Sequence, residues 1–145
     1  MPSGSCTRLS ELPPAARAVV AEARRAVLVT LGDDGAPHAV PVCFALRDDD
    51  VVTAVDHKPK RTTSLARVRN VRRDPRVTLL FDRWDDDWSR LGWVMVGAAA
   101  RVEPPGSAGD ALARRYAQYR DAPPRGDVVA CTPHRVLWWT ADSGG

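Results

Sequence analysis

Apolar residues recur at helical spacing at Ala16, Val19, Val20 and Ala23, with Arg17, Glu22 and Arg24 turned the other way. Pro13 and Pro14 stand ahead of them, where a first-turn proline forfeits no intrahelical bond. The spacing predicts a helix ending near residue 23. From Ala26 the pattern changes: residues 26–31 form a β-rich apolar run, closed by Gly32-Asp33-Asp34-Gly35, whose Asp-Gly step signals a hairpin. Residues 38–46 are the returning strand. Within it Val40, Val42, Phe44 and Leu46 share one face, while Ala39, Pro41, Cys43 and Ala45 share the other. A face of only small residues admits either a flat molecule against the backbone or a closely packed helix. Pro41 argues for an edge or a bulge, because proline cannot donate to the ladder.

Residues 51–55 predict a third strand. A helix follows over 63–73, with Leu65, Val68 and Val71 inward and Arg69 and Arg73 on an outer face near Asn70. It must stop near Asp74, since Pro75 biases the preceding residue away from helix. Residues 76–81 and 91–102 read as strands, separated by the acidic and aromatic loop Asp82-Arg83-Trp84-Asp85-Asp86-Asp87-Trp88. Residues 108–119 predict a helix, and 128–130 and 135–140 the last extended segments. The first ten residues are polar and expected to be loose. About six strands with few helices point to a small antiparallel barrel.

Length and composition narrow the class. The 145 residues suit one domain with a core that needs no disulfide or metal. No apolar run reaches the roughly 18 residues of a membrane span, and the N-terminus shows no secretory pattern. Cys6, Cys43 and Cys131 have no metal or CxxC spacing and read as reduced thiols of a cytoplasmic protein, with Cys43 packed as a small hydrophobe. His38, His57 and His134 show no zinc spacing. There is no GxSxG motif, no Walker or Rossmann glycine pattern and no twelve-residue calcium loop.

Charge adds the decisive feature. Of 21 basic residues only Lys58 and Lys60 are lysine. Residues 56–76 hold eight Lys and Arg against Asp56 and Asp74, a local +6 in a chain whose net charge is +3. Lys58, Lys60, Arg61, Thr62 and Thr63 lie where a strand gives way to a helix. Compact ammonium groups and a helix N-terminus suit a phosphate, and an exposed basic turn is the competing reading. A local patch fits a small polyanion better than nucleic acid, for which no RRM- or OB-like aromatic motif exists. Five tryptophans against two Phe and two Tyr form the second bias. Trp93 sits in an apolar strand and is expected in the core. Trp84 and Trp88 flank loop aspartates and need a ligand or another subunit to cover them. Trp138 and Trp139 face opposite ways.

The run Asp56-His57-Lys58-Pro59-Lys60-Arg61, with Leu65, Arg69, Asn70 and Asp74-Pro75-Arg76-Val77, resembles the pyridoxamine-phosphate-oxidase-like, F420-dependent oxidoreductases. So do Asp85-Asp86-Asp87-Trp88-Ser89-Arg90-Leu91, Trp93-Val94, Tyr116, Tyr119-Arg120, Pro123-Pro124 and Trp139. The resemblance covers most of residues 15–141. It implies a mainly β fold: a six-stranded antiparallel split β-barrel, FMN-binding-like, with flanking helices, as one domain over 1–145. It implies a homodimer with two equivalent cofactor sites at the subunit interface, coenzyme F420 as cofactor and FMN as the alternative. By position, Lys58, Lys60, Arg61 and Thr62 match the phosphate-contacting segment, Thr53, Ala54 and Val55 the strand leading to it, and Val40 and Pro41 the strand under the ring. Trp88 and Arg90 match a loop that reaches the site from the neighbouring subunit. The implied activity is hydride transfer between reduced F420 and an electron-poor acceptor; a non-catalytic flavin or F420 carrier is the competing class. No catalytic acid and no metal ligand is singled out.

Overall fold

The computed structural model of the protein describes residues 2–55 and 61–141, and of residues 61–65 only the backbone course. In chain order the regular elements are β1 (Ser3–Cys6), α1 (Pro14–Glu22), β2 (Ala26–Leu31), β3 (Pro37–Val42), β4 (Ala45–Arg47), β5 (Asp50–Ala54), α2 (Arg61–Arg73), β6 (Arg76–Arg83), β7 (Gly92–Glu103), α3 (Gly106–Arg115), α4 (Ala117–Asp121) and β8 (Val128–Thr140). All strand pairs are antiparallel, in the order β3-β2-β6-β7-β8-β5-β4, with β1 also paired to β8. This is a mainly β, curled sheet with flanking helices. Its long spine is β7 against β8, which pair from Gly92 opposite Thr140 to Glu103 opposite Val128. Among the described residues no helix is long and apolar enough to cross a membrane.

Period-two alternation sets the concave face. Leu28, Leu79, Phe81, Val94, Val96 and Val136 are fully buried there, together with Val19 and Val20 of α1, which closes one end. The closure is tight. A Cβ on Gly92 would lie 2.9 Å from Val19 Cγ2, so only glycine lets α1 approach the start of β7 this closely. A second cluster, Val52, Ala54, Val128 and Ala130, is covered by Ala108, Ala111 and Leu112 of α3. The convex face carries Val27, Val29, Leu80, Met95, Leu137, Trp93 and Trp139, all half-buried or exposed.

Several expectations change in detail. Residues 3–6 form a strand rather than a loose leader, because the end of β8 beyond β5 offers an open edge that β1 fills. Trp93 is not core: it points outward from β7 and is 36% exposed. The strand expected over 38–46 breaks at Cys43 and Phe44, so Ala45 is buried and Leu46 is 40% exposed, the reverse of simple alternation. Residues 128–140 form one strand, not two segments, with an extra residue, His134, accommodated between the Gly97–Arg135 and Ala98–Pro133 pairs.

The helix expected over 108–119 is broken at Tyr116, whose backbone is extended. The cause lies in its side chain. The Tyr116 hydroxyl accepts from the Phe44 amide at 3.1 Å and donates to the Arg24 carbonyl at 3.0 Å, pinning the β3–β4 corner to the start of β2. Tyr116→Phe is expected to strand the buried Phe44 amide and cost about 1–3 kcal/mol of unfolding free energy, measured by urea denaturation.

A half-buried ion network fixes the β4–β5 hairpin. Asp50 accepts from Arg101 Nη2 at 2.8 Å, from Thr132 Oγ1 at 2.9 Å and from Arg47 Nη2 at 3.4 Å, while Arg47 Nη1 also donates to Glu103. Burial opposes the Asp50 charge, but the hydrogen bonds from Arg101, Thr132 and Arg47 outweigh it and hold its carboxyl below the ordinary aspartate range. A lowered folded-state pKa gives stability that is fully present above the unfolded value, about pH 4, and is lost as pH falls through the folded one. Asp50→Asn is therefore expected to lower Tm at pH 7 and to flatten its fall below pH 4 in thermal melts against pH.

Candidate functional site

The two ends of the sheet order meet at one place. Pro41, Val42 and Cys43, at the end of β3, line a cavity of about 160 Å³ together with Ala54 at the end of β5. Arg25, just ahead of β2, Arg67 of α2 and Tyr119 of α4 complete its lining. The sequence places these side chains for local reasons. Pro41 falls on the edge strand, where its missing N–H is no loss. Arg67 lies on the inward side of α2 beside Val68 and Val71, and is only 6% exposed. The Tyr119 ring packs edge-on against Tyr116, with centroids 5.8 Å apart at 90°.

The site residues read from the sequence divide by what they present. Pro41 is exposed and turned outward, next to exposed Ala39, whereas Ala45, expected on the same face, is buried. Val40 turns inward against the main core and offers only backbone to that shelf. Ala54 lines the cavity. Thr53 is 1% exposed and shares the inward face with Val51; its hydroxyl has no hydrogen-bond partner among the described residues. Val55 is half-buried at the end of the first described segment, and Lys58 and Lys60 fall outside the described residues. Arg61 and Thr62 open α2, so the expected helix start lies two residues earlier than the spacing predicts, and their backbone N–H groups belong to its first turn. Cys43, expected as a packed hydrophobe, is exposed at the cavity instead, and Cys131 is the buried thiol.

Trp88 and Arg90 are not brought to this cavity. They form a short 3₁₀ turn after β6, with Trp88 72% and Trp84 76% exposed. The turn is well braced. Asp85 Oδ1 accepts from the Asp87 amide at 2.8 Å, Arg90 Nε lies 3.2 Å from Asp85, and Arg83 Nε donates to the Arg90 carbonyl at 2.6 Å. The Ser89 hydroxyl and amide both donate to Asp87, which keeps that carboxyl below the usual range. Trp84 lies over a separate, strongly apolar groove of about 360 Å³ on the convex face, with Leu80, Trp93, Met95 and Trp139.

The arginines of α2 do not form one free basic stripe. Arg73 donates to the Leu31 carbonyl and to Asn70 Oδ1, both at 2.9 Å; Arg72 pairs with Asp127 at 3.3 Å; Arg76 pairs with Asp74 at 2.7 Å. The Arg76 side chain and amide hold the Asp74 carboxyl down at about 2. Of the local +6 over residues 56–76, Arg72, Arg73 and Arg76 are thus engaged within the fold, while Arg69 is exposed. Arg25 and Arg67, which line the cavity, were not singled out in the sequence. Arg67 entered only the charge count, and nothing in the sequence links it to Arg25; the closure of the sheet does.

With this geometry in view, the comparisons are specific. The pyridoxamine 5'-phosphate oxidase family model matches residues 12–140. The chain belongs to that family. No curated protein matches it significantly. Solved structures do. The conserved hypothetical protein Rv2991 from Mycobacterium tuberculosis is 24% identical, with TM-score 0.71 over 90% of this chain and 86% of that one. The putative pyridoxamine 5'-phosphate oxidase from Listeria innocua is 20% identical, with TM-score 0.60 over 83% and 91%. HutZ, the heme storage protein from Vibrio cholerae, is 14% identical, with TM-score 0.65 over 81% and 87%. At these identities the structural likenesses establish the fold, and this pyridoxamine 5'-phosphate oxidase family member has the split barrel that the resemblance implied, with eight strands among the described residues rather than six.

Proposed function

We propose that the protein binds coenzyme F420, with FMN as the alternative, and acts as an oxidoreductase toward an electron-poor small-molecule acceptor. The observation that carries this reading is the meeting of the exposed Pro41 shelf with the end of β5, immediately ahead of the lysine segment and the α2 N-terminus. A tricyclic ring fits there because Pro41 and Ala54 offer little bulk, and because Val40 and Thr53 turn their side chains away and leave backbone. Lys58, Lys60, Arg61 and Thr62 hold the phosphate in this reading, aided by the free N–H groups of the first helical turn. The cofactor when bound supplies the hydride chemistry. The protein's residues bind it, orient it and limit water. No side chain at the cavity is assigned a proton.

A second copy of the chain completes the site. The convex face presents Leu80, Trp93, Met95, Leu137 and Trp139 with no described element over them. Apolar area of this kind marks an interface, and a two-fold dimer would let Trp88 and Arg90 of one subunit reach the shelf of the other. Trp93→Arg is expected to weaken that dimer on the order of 30-fold or more, since aromatic residues at interface centres are the usual hot spots. Sedimentation velocity across a concentration series checks it; an unshifted dimer would remove this face from the interface.

The deciding experiment titrates the protein with F420 and with FMN, following tryptophan quenching. Tight binding of F420 alone supports the reading and calls for an acceptor screen with the reduced cofactor. Preference for FMN moves the protein to the flavin branch. Binding without turnover of any acceptor leaves a carrier, and binding of neither refutes the reading.

A further inference from the structure

A cleft of about 580 Å³ opens between the end of α1 and the end of β6, and the cofactor reading does not use it. Its volume falls within the roughly 300–1,000 Å³ of small-molecule sites. Val19 and Ala23 give it apolar lining, and so does Trp84, which is 76% exposed. The chain is held firmly beside that indole. Arg83 pairs with Glu22 at 3.0 Å, and its Nε donates to the Arg90 carbonyl at 2.6 Å. A large flat side chain on a braced backbone, open to water, is a stacking surface. Charge then narrows the ligand. Glu22 and Arg83 neutralise each other, which leaves Arg24, Arg25 and Asp82. All three are exposed, and among the described residues none has a side-chain hydrogen bond or ion pair; Arg24 only lies 5.1 Å from the Tyr116 ring centroid. Two cations against one carboxylate favour an anion. A role for Trp84 in subunit contact alone accounts for the apolar groove it also lines, but not for these arginines.

We propose that this cleft binds a planar aromatic carboxylate, with its ring against Trp84 and its carboxylate toward Arg24 and Arg25. The planar guanidinium fork suits a carboxylate, and the indole suits a flat ring. Asp82 sets the limit on charge: it tolerates one anionic group and repels a second. Arg25 lines both this cleft and the smaller cavity at the end of β3, so the two spaces open side by side. A ligand here lies beside the place proposed for the cofactor, as an acceptor must. That role as acceptor rests on the cofactor reading above, whereas the binding itself does not.

Isothermal titration calorimetry with three probes tests the cleft: 2-naphthoate, its neutral amide and cyclohexanecarboxylate. Wild type should bind 2-naphthoate about tenfold tighter than the amide, which lacks the charge, and than cyclohexanecarboxylate, which lacks the flat ring. Trp84→Leu is expected to weaken 2-naphthoate about fivefold and to leave cyclohexanecarboxylate unchanged. Asp82→Asn should tighten both carboxylates about threefold and leave the amide unchanged, a gain that a merely structural aspartate would not give. Both side chains are exposed, so circular dichroism and Tm should match wild type. Failure of 2-naphthoate to bind, equal binding of all three probes, or wild-type constants in both variants would overturn the site. The titrations are repeated with saturating F420 and with FMN. Retention of 2-naphthoate beside bound cofactor supports a separate cleft, and its displacement overturns one by making the space part of the cofactor's own seat. Wild type that binds 2-naphthoate but neither cofactor keeps the cleft and sinks the cofactor reading, and the acceptor role with it.

Discussion

Replacing Lys58 and Lys60 together by alanine is expected to weaken cofactor binding on the order of a hundredfold while leaving the fold unchanged. The magnitude follows from the number of groups involved. A charge-assisted hydrogen bond to phosphate is worth about 1.5–3 kcal/mol, and each 1.4 kcal/mol is about tenfold in affinity. The low end of that range for each of two lysines gives about a hundredfold. What remains in the double variant is the first turn of α2, whose backbone N–H groups have no partner within the helix and which holds anions less strongly by itself. The result should depend on salt: wild-type affinity falls as ionic strength rises, and the variant's affinity falls less. Titration at two salt concentrations checks both statements. A variant that binds as tightly as wild type would return the segment to an exposed basic turn and move the phosphate elsewhere.

The fold was largely legible because its strands are long and two-faced. Alternation through Val77, Leu79 and Phe81, and through Val94, Val96 and Ala98, marks the inner face residue by residue. What was not legible depended on contacts between distant segments. Trp93 alternates as a core residue would not, yet apolar composition alone suggested burial; only the absence of a covering element shows that it faces out. The reversal at Cys43 and Phe44 has the same origin, since the Phe44 amide leaves the ladder to bond Tyr116, 72 positions along the chain. Near the candidate site, the helix start could be read, to within two residues, from the lysine-to-threonine run. That Arg25 and Arg67 line one cavity could not be read, because the cavity exists only where β3 and β5, at opposite sides of the sheet order, converge.

Phe44→Ala should be the most damaging single truncation, costing about 3–5 kcal/mol of unfolding free energy. Phe44 is fully buried at the same corner that Tyr116 pins, and its ring meets Phe81 edge-on at 4.8 Å and 76°. The Arg115 guanidinium lies 4.4 Å from the ring centroid on another side, while Arg115 itself donates to the Ala21 and Ala23 carbonyls at the end of α1. Truncation would leave a cavity between α1, β6 and the β3–β4 corner and would remove the aromatic face on which Arg115 rests. Such a loss is a large part of the 5–15 kcal/mol that holds a domain of this size. The same corner carries Pro41 and Cys43 into the cavity proposed to take the cofactor, so stability and site geometry are coupled here. Measured by denaturation with and without cofactor, Phe44→Ala should lose ligand-induced stabilisation as well as stability, whereas Tyr116→Phe, which keeps the packing, should lose mainly the latter. Full ligand stabilisation retained in a folded Phe44→Ala variant would show that the shelf is held by β3 pairing to β2 alone, and that the corner serves the core but not the site.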